Sequence, residues 1–131
     1  MAKTVCKLLG AVFVIVGVAG FVAPNLLGAH LSLVHNLVHI VSGALALYFG
    51  FAGSPGGAKG FCLIFGIVYL LLGAAGWFMG TGADHMFHVG ELLTLGKVDH
   101  IIHVGLGAVV LPGALLAVLA GCGDQTARQV G

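Results

Sequence analysis

The sequence predicts an all-α fold: a polytopic membrane four-helix bundle built from two repeated helical hairpins, with both termini cytoplasmic. Three observations lead there. Of the 131 residues, 60% are hydrophobic and 7% charged, whereas soluble domains are about a quarter charged. No charge falls between Lys7 and Lys59, between Lys59 and Asp84, or between Asp99 and Asp124. The second half of the chain also repeats the pattern of the first. Roughly twenty apolar residues cross a bilayer core as a helix, so these gaps hold two, one and one spans. A net charge of +1 offers no field for nucleic acid or acidic substrates. Soluble enzyme, nucleic-acid binder and disordered linker are excluded.

The first span covers about residues 5–23 and stops at Pro24-Asn25, a helix-ending pair. The second, about 31–51, ends in Gly53-Ser54-Pro55-Gly56-Gly57, which reads as a turn that cannot continue a helix. The third, about 60–80, follows Lys59, and the fourth is about 100–120. Strands are not expected, because the apolar runs do not alternate and a barrel needs at least about eight strands. The basic start followed by an apolar stretch resembles a signal peptide, but no small-x-small cleavage site is clear, so the segment is read as retained. The chain is thus one transmembrane domain over 1–131: repeat one about 5–53, repeat two about 59–121, and a short cytoplasmic tail at 122–131.

Orientation follows from Lys and Arg. Lys3, Lys7, Lys59 and Arg128 lie on one side of such a hairpin pair and Lys97 on the other, which puts the termini in the cytoplasm. The loops bearing Asp84, Glu91 and Asp99 then face outward. Cys6, Cys62 and Cys122 fall near the cytoplasmic ends, where thiols stay reduced, so no disulfide framework is implied.

The repeat is explicit. GAVFVIVGVAGF (10–21) aligns with GIVYLLLGAAGW (66–77), and VHNLVHIVSGALAL (34–47) with VDHIIHVGLGAVVL (98–111). The shift is 56 residues in the first pair and 64 in the second, so the second outer loop carries eight extra residues. Two spans per unit give both copies the same orientation, related by an axis along the membrane normal. Glycine is abundant, 23 residues, because lipid tails are as apolar as Leu and helices associate by close approach at small residues. Gly10, Gly17 and Gly20, like Gly66, Gly73 and Gly76, share one helical stripe. Packing is the first reading of that stripe; room left for a cofactor is the second.

All seven histidines lie in the outer half of this map. His35 and His39 are one turn apart on one helix face, as are Asp99 and His103, and Gly43 and Gly107 continue those faces into the bundle. The expected partners lie across the pseudo-twofold: His39 with His103, and Asp99 with His35 or Asn36. Three readings stay open. Neutral His and Asn hydrogen-bond between membrane helices, worth on the order of 0.6–2 kcal/mol each. An ionisable group at membrane depth also reads as functional, here as a metal or haem site or as a proton path. His39 and His103 alone suit a bis-imidazole haem. Three or four of His35, His39, His100 and His103, with Asp99 as a ligand or as the acceptor that fixes a tautomer, suit Zn or Cu. His85 and His88, in a loop with Asp84 and Glu91, add metal-capturing groups outside. No Gly-x-Ser-x-Gly elbow, His-Glu-x-x-His or phosphate loop is present. The aromatics read as interface and core fillers, with Trp77 and Phe78 at a belt position.

The pairing of VHNLVHIVSGALAL with VDHIIHVGLG, each after a Gly-rich span ending near Gly-Phe or Gly-Trp, resembles the bacterial membrane family called domain of unknown function 4383. The resemblance covers about residues 7–118 and is most specific at His35-Asn36-x-x-His39 and Asp99-x-x-x-His103. That family has Asn where this chain has His100. The resemblance implies four spans and a bacterial cytoplasmic (inner) membrane; it implies no activity. The functional expectation is a small non-enzymatic membrane protein, an accessory subunit of a larger complex in the lipid bilayer, associating with other subunits or with itself. The alternative is a module holding Zn, Cu or haem through outer-side histidines.

Overall fold

The computed structural model describes every residue except 30, 91 and 131, and side chains are described except also at 27, 117 and 120–130. His30, Glu91 and the side chains of Cys122 and Arg128 therefore lie outside the described residues. Four helices follow in order: α1 (Ala2–Ala19), α2 (Leu33–Phe51), α3 (Pro55–Met79) and α4 (Lys97–Val130). All four are long and apolar enough to cross a membrane, α4 over Lys97–Leu116. In lipid every backbone group must be bonded internally, which makes a helix the only open-ended solution for such runs.

Boundaries differ from expectation where caps decide them. α1 stops at Ala19 because the chain tightens there, Phe21 N–H donating to Val18 O (3.2 Å) and Val22 N–H to Ala19 O (3.1 Å). α3 begins at Pro55, earlier than expected: Ser54 Oγ accepts from Gly57 N–H (3.0 Å), and proline at the first helical position starts the helix instead of breaking it. α2 is capped likewise, Ser32 Oγ accepting from His35 N–H (3.2 Å). At α4 the acidic side chain works in the other direction: Gly96 N–H donates to Asp99 Oδ2 (2.8 Å), the reciprocal half of a capping box.

None of the four apolar runs is a strand; the short strands lie between α3 and α4. In the segment between α3 and α4, β1 (Phe87–Val89) pairs antiparallel with β2 (Leu93–Leu95) in the register Phe87↔Leu95, His88↔Thr94, Val89↔Leu93. The segment alternates apolar and polar residues about Gly90, which takes φ +63°, a turn that favours glycine. Leu95 is fully buried, and β2 packs against α2.

α1 packs most extensively on α2, and α3 on α4. Within each pair the backbones meet at glycine. A Cβ on Gly43 would stand 2.9 Å from both Gly10 O and Val14 N; one on Gly107 would stand 2.7 Å from Leu70 N. Gly10 abuts Leu47 N and Gly66 abuts Leu111 N, while Gly17 abuts Asn36 O and Gly73 abuts His100 O. Contacts run antiparallel in both pairs. Between the pairs, α1 lies parallel to α3, with Cys6 beside Cys62 and the Phe13 ring 5.5 Å from Tyr69. The residues left exposed include Leu8, Ile15, Leu71 and Val109, a distribution suited to surrounding lipid.

Gly43→Val should push α2 off α1 and cost about 1–3 kcal/mol, the usual penalty of overpacking. Gly105→Ala, where nothing lies within 4 Å, should change stability by no more than about 0.5 kcal/mol. Thermal unfolding in detergent compares the two; equal losses would remove the glycine contact from its central place.

Candidate metal centre

Residues 35, 36 and 39 are all buried, and helical geometry divides them between two directions. Successive residues turn about 100°, so 35 and 39 share a face while 36 points a quarter-turn away. Asn36 faces its own hairpin, where a Cβ on Gly20 would overlap its amide. His35 and His39 are therefore free to face the other hairpin. In α4 the same division recurs: a Cβ on Gly76 would overlap the His100 ring, and Asp99 and His103 take the other direction.

The result is one cluster. His35, His39 and His103 each offer a ring nitrogen, and these three atoms lie within 4.8 Å of one another. The three are 2%, 7% and 4% exposed. Their rings are 4.5 Å apart for His35–His39 and 6.3 Å for His35–His103. Each of the two matched imidazoles is backed by an aromatic of its own hairpin: Phe13 lies 5.2 Å from His39, and Tyr69 meets His103 edge-on at 4.9 Å. A cavity of about 160 Å³ adjoins the cluster; Asp99 lines it, and Leu26, Ala29 and Leu31 of the segment between α1 and α2 contribute to it. His39 Nδ1 and His103 Nδ1 are buried without a hydrogen-bond partner among the described residues.

The predicted site residues thus separate. His35, His39 and His103 are brought together, with Asp99 on the same cavity. His100 is not among them: its Nε2–H donates to His85 O at 2.7 Å, and its ring fills the space that Gly76 leaves. His85 stacks on Trp77 (4.8 Å, 7°) and donates from Nδ1 to Trp77 O at 3.0 Å. His88 is exposed on β1 opposite Thr94. Of the seven residues named as ligands, His85, just before β1, and His88, on β1, do not line the cavity. Asn36 is turned toward Gly20. Unforeseen were Phe13 and Tyr69 as backing rings; their signal was the shared shift of 56 that relates them.

Three nitrogens this close suit a single ion. Around tetrahedral zinc, bonds of about 2.0–2.1 Å put ligand nitrogens roughly 3.3 Å apart, a short closure from the observed cluster. Haem suits it less: His35 crowds the two imidazoles that would be axial ligands, and 160 Å³ is below the roughly 300–1,000 Å³ of pockets for large organic ligands.

Fold and site together define a bundle of four membrane-length helices enclosing a buried histidine cluster. The chain belongs to the family described as Domain of unknown function (DUF4383), which matches residues 3–116 and so takes in all the clustered histidines. No curated protein and no solved structure matches the chain.

Gly76→Ala should displace the His100 ring and break its bond to His85 O, costing about 1–3 kcal/mol. In a His100→Ala background the same change should cost much less, because the obstructing ring is gone. Unfolding of the four proteins tests this; strictly additive losses would contradict the contact.

Proposed function

We propose that this is a small, non-enzymatic protein of the bacterial cytoplasmic membrane that holds one transition-metal ion through His35, His39 and His103, as a binding subunit of a larger membrane assembly. The observation that carries the reading is the convergence of three buried imidazoles on one cavity, two of them with unpartnered nitrogens. Burying unpaired polar atoms costs free energy, and a metal ion offsets that cost by taking the lone pairs. Neutral imidazole suits Zn, Cu and Ni. Asp99 brings a carboxylate near the ion's charge, either completing the coordination or orienting a ligand. The accessory reading is supported by the short connections: among the described residues, the segment between α3 and α4 folds as a hairpin of three-residue strands.

The architecture belongs to the same proposal. Two copies of one hairpin, related by a twofold along the membrane normal, account for paired contacts at constant shifts: Gly10–Leu47 with Gly66–Leu111, Gly43–Val14 with Gly107–Leu70, and Phe13–His39 with Tyr69–His103. Lys3 Nζ–H donates to Phe51 O (3.4 Å) and Lys7 lies over the Phe51 ring (4.6 Å), so these cations share one end of the bundle. That end is the cytoplasmic one by the positive-inside rule.

Zinc competition with a chromogenic chelator should find one ion per purified chain. His39→Ala and His103→Ala should each weaken binding by at least about tenfold, while His85→Ala and His88→Ala leave it unchanged. Affinity should fall as pH falls, because protons compete for the same ring nitrogens. A wild-type chain that binds no stoichiometric Zn, Cu or Ni would leave the histidines as interhelical hydrogen-bond partners.

Orientation has its own test. In His88→Cys, a membrane-impermeant maleimide should label intact cells from outside. Labelling only after the membrane is opened would reverse the topology.

A further inference from the structure

At the opposite end of the bundle from the histidines, α1 and α3 bring two thiols together. Cys6 Sγ and Cys62 Sγ are 3.3 Å apart, with exposures of 0% and 2%. Each S–H also points at the partner helix: Cys6 Sγ lies 3.7 Å from Ala58 O, and Cys62 Sγ lies 3.8 Å from Ala2 O. We propose that Cys6 and Cys62 are a peroxide-oxidisable dithiol whose disulfide ties the two hairpins together.

Three observations support this. First, the close glycine contacts at Gly10, Gly17 and Gly43 lie within the first hairpin, and those at Gly66, Gly73 and Gly107 within the second. The thiol pair sits where one hairpin meets the other, so a bond there joins what glycine packing does not. Second, Cys62, unlike Cys6, borders a cavity of about 80 Å³ lined otherwise by apolar residues such as Val5, Val110 and Ala114. A water-sized molecule occupies roughly 30 Å³, so hydrogen peroxide fits, and its lack of charge suits an apolar wall. Third, the product is neutral. A soft monovalent cation held by two thiolates would leave a net negative charge buried among apolar groups, which is costly; a disulfide leaves none.

The chemistry balances in two steps. The Cys62 sulfur attacks one peroxide oxygen and the O–O bond breaks, giving Cys62 sulfenic acid and one water. The Cys6 sulfur then attacks the Cys62 sulfur, the S–O bond breaks, and the hydroxyl leaves with the Cys6 proton as a second water. Two thiols are oxidised and one peroxide is reduced. The bonded sulfurs come to about 2.05 Å, a short closure from 3.3 Å.

The test uses the full chain with Cys122→Ser, so that two thiols remain, reconstituted in lipid nanodiscs. Hydrogen peroxide should yield a monomer lighter by two hydrogens, with no thiol left for maleimide after unfolding and a raised Tm. The same chain unfolded in SDS should form that species far more slowly. With Cys6→Ser added, Cys62 should stop at the sulfenic acid and capture dimedone; with Cys62→Ser instead, Cys6 should not. Two thiols still titratable after peroxide, disulfides only between chains, or equal rates in folded and unfolded protein would each overturn the proposal.

Discussion

Close approach of helix backbones at glycine is the constraint on which this structure depends. Between membrane helices there is no hydrophobic drive to associate, so dispersion between surfaces in contact must hold each hairpin together. That requires the missing Cβ at Gly10 and Gly43, and at Gly66 and Gly107, where a methyl group would press on the neighbouring backbone. Once those contacts set the rotation of α2 against α1, every other residue of α2 has its direction assigned. Asn36 must lie over Gly20, and His35 and His39 must then point at the other hairpin. α4 obeys the same rule through Gly73 and Gly76.

The make-up of the cavity is a consequence of that rotation. His39 and His103 stand at matching places, each against an aromatic ring of its own hairpin. His35 and Asp99 also stand at matching places, one an imidazole and the other a carboxylate. The site therefore combines nitrogen donors with one carboxyl group on the same cavity. Asp99 is held as well by Gly96 N–H, so its position is fixed by the start of α4 independently of any ligand.

The two ends of the bundle therefore differ in chemistry. One end gathers nitrogen and oxygen donors between α2 and α4 under the segment that joins α1 to α2; the other gathers two sulfurs between α1 and α3. Both groups bridge the hairpins instead of lying within one, and both consist of residues related by the internal shifts of the sequence. The inner contacts between hairpins are sparser than those within them, so functional groups at that interface are where chemistry most readily changes how the halves sit together.

The sequence by itself determined the four apolar helices, the family, and the residues that share a face. Gaps between charges and the shifts of 56 and 64 are properties of the chain, and helical periodicity alone puts His35 with His39 and Asp99 with His103. It did not separate the histidines. His100 is adjacent to Asp99 in sequence, but a rotation of about 100° per residue sends it to α3, and only the packing against Gly76 shows that its place is filled there. His85 and His88 could be removed from the site only once the loop was seen to form a hairpin, since three-residue strands carry too little periodicity to be read in advance. Helix starts at Pro55 and Lys97 likewise depended on hydrogen bonds accepted by Ser54 and Asp99, which a residue pattern suggests but does not fix. What tertiary structure decided was rotation and depth: which face of each helix meets which neighbour is set by contacts distant in sequence, and periodicity alone carries no record of them.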